Sequence, residues 1–308
     1  MTEQVSQHQK PADDEIDLRE LFRAIWQGKW IIIATTFVFA VAAVFYALSL
    51  PNIYKSEVLL APVSEESGLK IPGQLGGLAA LAGVNLGGKG ADKTALTIEI
   101  LKSREFIGRF IENRNLFVPV MAAEGWIRSE NKLVIDPELY DERTMKWVRS
   151  VQEPFSEKPS VQETYEAFMA LIRISEDSTT GMIKLSIEHY SPVLAKQWID
   201  QLVEAINHEM RDRELAEAQK SIDYLTTQVN QTNIADVRTM LFSLIEEQTK
   251  TVMLANVRDE YAFKTIDTAV VPEKKAKPAR ALILILAVIL GGTLSTSVVL
   301  VRYFAQKN

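Results

Sequence analysis

Apolar residues form two long unbroken runs, one near each end of the chain. The first extends from Trp30 to Tyr54 and the second from Ala281 to Val301. Each run has the roughly 20 apolar residues that a helix needs to cross about 30 Å of hydrocarbon. Lysines flank the first run and arginines flank the second. The pattern predicts two transmembrane helices that enclose one large domain.

The first run is predicted to remain in the protein as a membrane anchor. A signal peptide has an apolar core of about 7 to 15 residues close to the N-terminus, whereas this run is longer and begins only at Trp30. Two retained spans place both tails in one compartment and the middle of the chain across the membrane. Basic flanks are nearly balanced, but the first span usually sets orientation, so we expect cytoplasmic tails.

Between the spans, segments with the hydrophobic period of a helix alternate with segments that have the period of a strand, which is typical of a folded α/β unit. An amphipathic helix is predicted just before the first span, at 16–26. Helices are further predicted at 92–113, after Asp136-Pro137, and at 160–169, and strands at 54–60, 171–175, 182–188 and 261–266. The first and last strands stand at the two ends of the domain, and we expect them to pair.

The longest predicted helix begins at Ser191-Pro192 and runs to about Val229. Serine is a favoured N-cap, and proline in the first turn loses no hydrogen bond. The length is roughly 60 Å, and a second helix follows a break at 230–236. A narrow coiled-coil-like seam makes a candidate contact between copies of the chain: Leu215, Ala218, Ile222, Leu225 and Val229.

Most of the glycines lie in the nearly uncharged segment 68–90. Such a segment is too permissive for a stable isolated helix, and it is either a surface loop or a loop that contacts a neighbouring subunit or the membrane. We favour the subunit contact. Gly83 to Lys89 has the spacing of a phosphate-binding loop, but Gly90 stands where serine or threonine is required. Nucleotide binding is therefore not predicted.

Composition argues against several other functions. The chain is 47% hydrophobic and 24% charged, as in globular proteins, and its net charge of −6 argues against nucleic-acid binding. It has no cysteine, its three histidines lack metal-ligand spacing, and no G-x-S-x-G motif occurs. We predict no catalytic residue, no metal site and no cofactor.

Three small residues lie four apart in the second apolar run: Ala287, Gly291 and Ser295. This spacing puts them on one stripe of a helix, where another helix can approach closely. Small residues are common in membrane spans, so chance is the alternative explanation. We predict that the stripe packs against another helix.

Both ends of the chain resemble bacterial polysaccharide chain-length determinants, also called polysaccharide co-polymerases. Residues 14–18 (DEIDL), with Ile25-Trp26 and Lys29-Trp30, resemble the family's entry to its first span. Before the second span, the family pattern is Pro, four residues, Ser-Pro-Lys, eleven residues, Gly, three residues, Gly. The chain meets its spacing at Pro272, Pro278, Gly291 and Ser295, and departs from its residue types at Lys277, Ala279 and Ser295.

The resemblance implies an α+β fold, in which an α/β base and a long extended helix form a periplasmic domain between two transmembrane helices. The implied parts are a cytoplasmic N-terminal tail (1–29), a first transmembrane helix (30–52), a periplasmic domain (53–278) with its long helix at about 191–229, a second transmembrane helix (279–301) and a cytoplasmic C-terminal tail (302–308). The implied location is the bacterial inner membrane.

The implied function is non-enzymatic. Members of this family form rings of identical subunits and set the length of lipopolysaccharide O-antigen or a related glycan, which a separate membrane polymerase makes. The growing glycan is a further candidate partner, and neighbouring subunits would cover the 215–229 seam and the 68–90 loop. One alternative is a periplasmic sensor, although only 302–308 follow the second span. Another is a membrane activator of a capsule or exopolysaccharide tyrosine kinase and export system, which shares this layout.

Overall fold

A computed structural model describes residues 18–63 and 89–307 of the chain. Most of the glycine-rich segment 68–90, the phosphate-loop-like spacing within it, and residues 14–17 of the N-terminal motif lie outside the described residues. The chain divides into two compact units, Met1–Pro51 with Lys277–Asn308, and Asn52–Ala276. Each unit is described by itself.

The described elements alternate between helices and short strands. In chain order they are α1 (Leu18–Gln27), α2 (Lys29–Ser49), β1 (Tyr54–Pro62), α3 (Lys89–Lys102), α4 (Arg104–Arg114), α5 (Phe117–Met121), β2 (Ala123–Ile127), β3 (Lys132–Ile135), β4 (Tyr140–Asp141), β5 (Lys146–Trp147), α6 (Val161–Leu171), β6 (Ile172–Glu176), β7 (Ile183–His189), α7 (Pro192–Gln231), α8 (Ala235–Val257), β8 (Phe263–Asp267) and α9 (Arg280–Lys307). The fold is α+β with one long helix.

Helices α1, α2 and α9 form the first unit. Helices α2 and α9 are long and apolar enough to cross a membrane. Helix α2 ends at Ser49, two residues before a proline that cannot continue the helix. Helix α9 continues to Lys307, beyond the predicted end at residue 301, because no glycine or proline interrupts 302–307.

A four-stranded antiparallel sheet, in the order β6-β7-β1-β8, forms the base of the second unit. One of its faces is apolar, and the register brings Val58 opposite Leu185 and Leu60 opposite Ile183 there. All four side chains are at most 4% exposed. The pairing of β1 with β8 confirms the expectation that the two ends of the domain meet.

Helices α6 and α7 cover the apolar face of this sheet, and α4 packs on α6. The first half of α7 buries a broad stripe of large side chains, of which Trp198, Ile199 and Leu202 are at most 1% exposed. Trp198 meets Phe168 of α6 edge to face at 5.6 Å between ring centroids. At roughly 25 cal/mol per Å² of apolar area, burial of such side chains is the main force holding α7 on the sheet.

Two parts of the domain differ from the sequence prediction. The helix predicted at 92–113 is two helices, because Ser103 turns out of the first and accepts the Phe106 N–H as N-cap of the second. The helix predicted after Asp136-Pro137 is absent from the described residues of that segment, where β4 and β5 pair. Asp136 and Asp141 each accept a backbone N–H two residues on, which favours turns over helix.

The long helix is part of a helical hairpin. Helix α7 has 40 residues, a length of about 60 Å, and α8 returns along it after a turn at 232–234. The helix, its N-cap at Ser191 and the break near 230–236 are as predicted. Only the first half of α7 has a broad buried face, whereas the second half packs mainly along α8 and contacts α3 through an ion pair between Glu214 and Lys93.

Asn207 attaches α7 to the last strand. Its side chain is buried, accepts the N–H groups of Ala262 and Phe263 at 2.7 and 2.8 Å, and donates to the Phe263 carbonyl at 3.0 Å. One amide thus satisfies three backbone groups where the chain leaves the hairpin and enters β8.

We expect Asn207→Ala to lower the free energy of unfolding by about 2–4 kcal/mol, since it leaves buried backbone groups without partners. Denaturant unfolding of the detergent-solubilised protein measures this. Asn256→Ala is the matched control, because that exposed side chain donates to the Val252 carbonyl of its own helix. Equal stability of the two variants would contradict the role given to Asn207.

Candidate functional site

The small-residue stripe of α9 faces α2. Gly291 is buried, and a Cβ placed there would lie 2.9 Å from the Phe39 Cβ and 3.3 Å from the Thr36 Cα. Ser295 is 5% exposed and donates to the Gly292 carbonyl, and Ala287 is half-buried on the same side. The absence of a side chain at Gly291 therefore permits the close approach of the two candidate spans.

Contacts at both ends of the span pair fix its antiparallel arrangement. Gly28, just before α2, packs against Val299 near the end of α9. At the opposite end Arg280 Nε donates to the Ala47 carbonyl at 3.0 Å. That carbonyl belongs to the last turn of α2, where carbonyls lack helical partners and a cation is favourable.

The predicted seam of α7 lies along α8 of the same chain. Ala218 and Val229 are 2% and 6% exposed, and Leu215, Ile222 and Leu225 are half-buried. The seam thus already has a partner within one chain, which the sequence prediction had assigned to a neighbouring subunit. The physical reason is the short turn at 232–234, which folds α8 back along the narrow apolar stripe.

The outer faces of the hairpin carry a second set of apolar side chains that the sequence prediction missed. Tyr224, Met240, Phe242, Met253 and Val257 are between 54% and 81% exposed. The signal was present in α8, where Phe242, Met253 and Val257 follow a helical period displaced from that of the seam. Exposed apolar surface of this extent is typical of contact sites.

The two prolines of the family pattern lie in different settings. Pro272 lines a cavity of about 270 Å³ in the second unit, together with Tyr54 and Trp126. Pro278 belongs to the first unit, where its carbonyl accepts the Arg280 N–H at the start of α9.

The base of the long helix contains a buried histidine. His189 Nδ1 accepts the N–H of Ser191, the N-cap of α7, at 3.1 Å, and Nε2 lies 3.0 Å from the Pro119 carbonyl. A neutral ring protonated at Nε2 satisfies both contacts. Burial lowers the pKa of His189 below its ordinary value, although the backbone contacts at Pro119 and Ser191 oppose this effect.

Among the described residues, no group of three or more His, Cys, Asp or Glu side chains is arranged to hold a metal ion. The surfaces described above are contacts between helices and a cavity in the base. They define the general class of the protein, which is a chain with two candidate membrane spans flanking a larger α+β domain.

Comparison with known proteins finds matches to two family models. Residues 14–114 match the model of Wzz, described as chain length determinant protein. Residues 226–304 match a second model, described as a G-rich domain on putative tyrosine kinase.

Two solved structures are similar to this chain. A full-length bacterial polysaccharide co-polymerase is 15% identical, with 94% of this chain and 99% of that chain covered and a TM-score of 0.39. A fragment of WzzB, a polysaccharide co-polymerase from Salmonella Typhimurium, is 10% identical, with 73% and 100% covered and a TM-score of 0.33.

We expect Gly291→Ala to weaken the span pair by about 1–3 kcal/mol, because the new methyl group collides with the Phe39 Cβ. The SDS fraction needed to unfold the protein in mixed micelles measures the effect. Gly292→Ala is the matched control, since its Cβ would come no closer than 4.0 Å to the Thr36 Oγ1. A larger effect of Gly292→Ala would show that the spans pack differently.

We expect His189 to make the domain less stable in mild acid. The unfolded histidine takes up a proton near its ordinary pKa of about 6.5, whereas the folded pKa is lower. The unfolded state therefore binds more protons below about pH 6.5. As the pH drops from there to the folded pKa, the free energy of unfolding decreases by at most about 1.4 kcal/mol per pH unit.

Denaturant unfolding of the wild type and His189→Gln between pH 7.5 and pH 5 tests this expectation. The variant is expected to lose part of the pH dependence. His208→Gln, which removes an exposed histidine further along α7, controls for the loss of a histidine. An unchanged pH dependence in His189→Gln would refute the assignment.

Proposed function

We propose that this protein is a non-enzymatic regulator of surface polysaccharide chain length, with lipopolysaccharide O-antigen as the glycan. In this proposal it acts as an oligomeric scaffold on a separate membrane polymerase and biases how many repeat units are added before transfer. The observation that carries the proposal is the match of residues 14–114 to the chain length determinant family. The two candidate spans around one large domain support it.

The proposed location is the bacterial inner membrane, with the domain at 53–278 in the periplasm and both tails in the cytoplasm. Two observations support the placement of both tails on the same side of the membrane. Gly28 packs near the C-terminal end of α9, and Arg280 meets the C-terminal end of α2, so the spans run antiparallel. Aromatic rings near the first of these ends fit a membrane interface, with Lys29 Nζ 4.5 Å from the Trp26 ring.

The proposed assembly is a homo-oligomeric ring. Because α8 occupies the 215–229 seam within one chain, we assign the contact between copies to the outer faces of the hairpin. Tyr224 there lines an open groove of about 510 Å³ between α7 and α8. Side chains such as Met240 and Met253, each 62–64% exposed, would leave water on assembly, which favours association.

A second candidate function is an adaptor for a tyrosine kinase that controls capsule or exopolysaccharide export. The match of residues 226–304 to a G-rich domain on putative tyrosine kinase favours it. That segment includes α8, β8 and most of α9, whereas the first match covers α1 to α4. Under this proposal the chain would act with a separate kinase.

Deleting the protein is expected to convert a banded ladder of surface polysaccharide into an unregulated length distribution, and the intact chain supplied in trans is expected to restore the bands. Gel electrophoresis of the polysaccharide measures this, and the mass of the detergent-solubilised protein tests for an oligomer. An unchanged ladder with reduced tyrosine phosphorylation would favour the adaptor. An unchanged ladder together with a monomeric mass would refute the scaffold.

A further inference from the structure

The cavity beside Pro272 combines aromatic and polar side chains. It lies where β1, the β2–β3 hairpin, the start of α7 and the segment after β8 meet, and its volume is about 270 Å³. The residues used below are Tyr54, Trp126, Arg128, Asn131, Pro272 and Glu273. They come from three parts of the sequence, and two of these adjoin the candidate spans: Tyr54 stands five residues after α2, and Glu273 seven residues before α9.

The aromatic wall of the cavity is held in place by contacts of its own. The Tyr54 and Trp126 rings meet edge to face at 5.5 Å between centroids. Trp126 Nε1–H donates to Asn131 Oδ1 at 3.0 Å, which satisfies the only polar atom of the indole. Asn131 itself occupies the left-handed backbone region, with φ 48°, in the turn between β2 and β3. The indole is therefore oriented before any ligand arrives.

Three polar groups of the cavity have no partner among the described residues. Within the part of the chain that the structure describes, the side chains of Arg128 and Glu273 form no ion pair or hydrogen bond, although both line this cavity. The Asn131 amide nitrogen is also without a partner among those residues. A ligand site is expected to have a few polar groups that can bind the ligand. Donors and an acceptor that line one small cavity and do not pair with each other meet this expectation.

This combination fits a sugar ring. One face of a pyranose carries C–H groups that stack on aromatic rings, and its hydroxyl groups bind planar side chains such as guanidinium, carboxylate and amide. A cavity of 270 Å³ lies just below the range of about 300–1,000 Å³ for drug-sized ligands, so it holds one ring and not a length of chain.

We propose that the cavity lined by Trp126, Arg128 and Glu273 binds a single pyranose ring of the growing polysaccharide. The inference rests on the proposed function, which supplies the glycan. Contact with one ring, close in sequence to both spans, would let the domain hold the polysaccharide without enclosing it. Neither the family match nor the resemblance assigns a site to these side chains.

The test is a titration of the full-length protein in detergent with oligosaccharide released from the strain's own surface polysaccharide, followed by tryptophan fluorescence. We expect saturable binding whose signal is lost in Trp126→Phe. Arg128→Gln and Glu273→Gln, which alter exposed side chains and leave the fold intact, are each expected to weaken binding about tenfold or more. Arg143→Gln and Glu138→Gln are the matched controls, because they lie outside the cavity and are exposed.

Three outcomes would overturn the proposal. They are the absence of saturable binding, binding that Arg128→Gln and Glu273→Gln leave unchanged, and equal displacement of the oligosaccharide by short-chain phosphatidylglycerol, which would assign the cavity to lipid. The polysaccharide ladder separates this inference from the proposed function. If deletion changes the ladder but the cavity variants bind and regulate like the wild type, only the cavity assignment fails. If deletion leaves the ladder unchanged, the proposed function fails as well.

Discussion

The pairing of the first and last strands is the constraint on which the rest of the domain depends. A domain connected to candidate spans at both ends must bring its two ends together, and the antiparallel pairing of β1 with β8 does so. The contact extends beyond the strands, since the Ala276 N–H donates to the Ile53 carbonyl at 2.8 Å. In the other unit the two spans are themselves antiparallel and closely packed at Gly291. Each unit thus presents its two chain ends as neighbours.

Helix α7 links this closed base to the hairpin. Its first half belongs to the core, where Trp198 and Leu202 pack on the sheet and Asn207 bonds the start of β8. Its second half leaves the core, and the buried face narrows to the seam that α8 covers. The same helix is therefore buried in the core at one end and packed mainly along α8 at the other, which leaves the outer hairpin faces available for further contacts.

Sequence periodicity predicted the helices and strands because the apolar residues on one buried face of each element recur at a fixed spacing. The alternation around Ile183, the Ser191 cap and the two apolar runs all depend on local pattern. The prediction was wrong where a short polar side chain decides the backbone locally. Ser103 divides one apolar face between two helices, and Asp136 forms a turn where a helix was expected. Neither changes the hydrophobic period, so periodicity alone does not reveal it.

The candidate sites were predictable to different degrees. The small-residue stripe at Gly291 is visible in the sequence, since its spacing belongs to one helix. The seam is visible in the same way, but its contact with α8 depends on the turn at 232–234 and does not follow from the seam itself. The cavity at Trp126 was not predictable, since Tyr54, Trp126 and Glu273 are far apart in sequence and meet only through the register of the strands.

The side-by-side exit of Ile53 and Ala276 has a mechanical consequence. Strands whose adjacent ends are pulled apart sideways break their hydrogen bonds one after another, whereas strands pulled lengthwise must break many bonds at once. A force that moved residues 53 and 276 apart sideways would load the β1–β8 ladder in the first of these ways, because β8 pairs with β1 alone in the sheet.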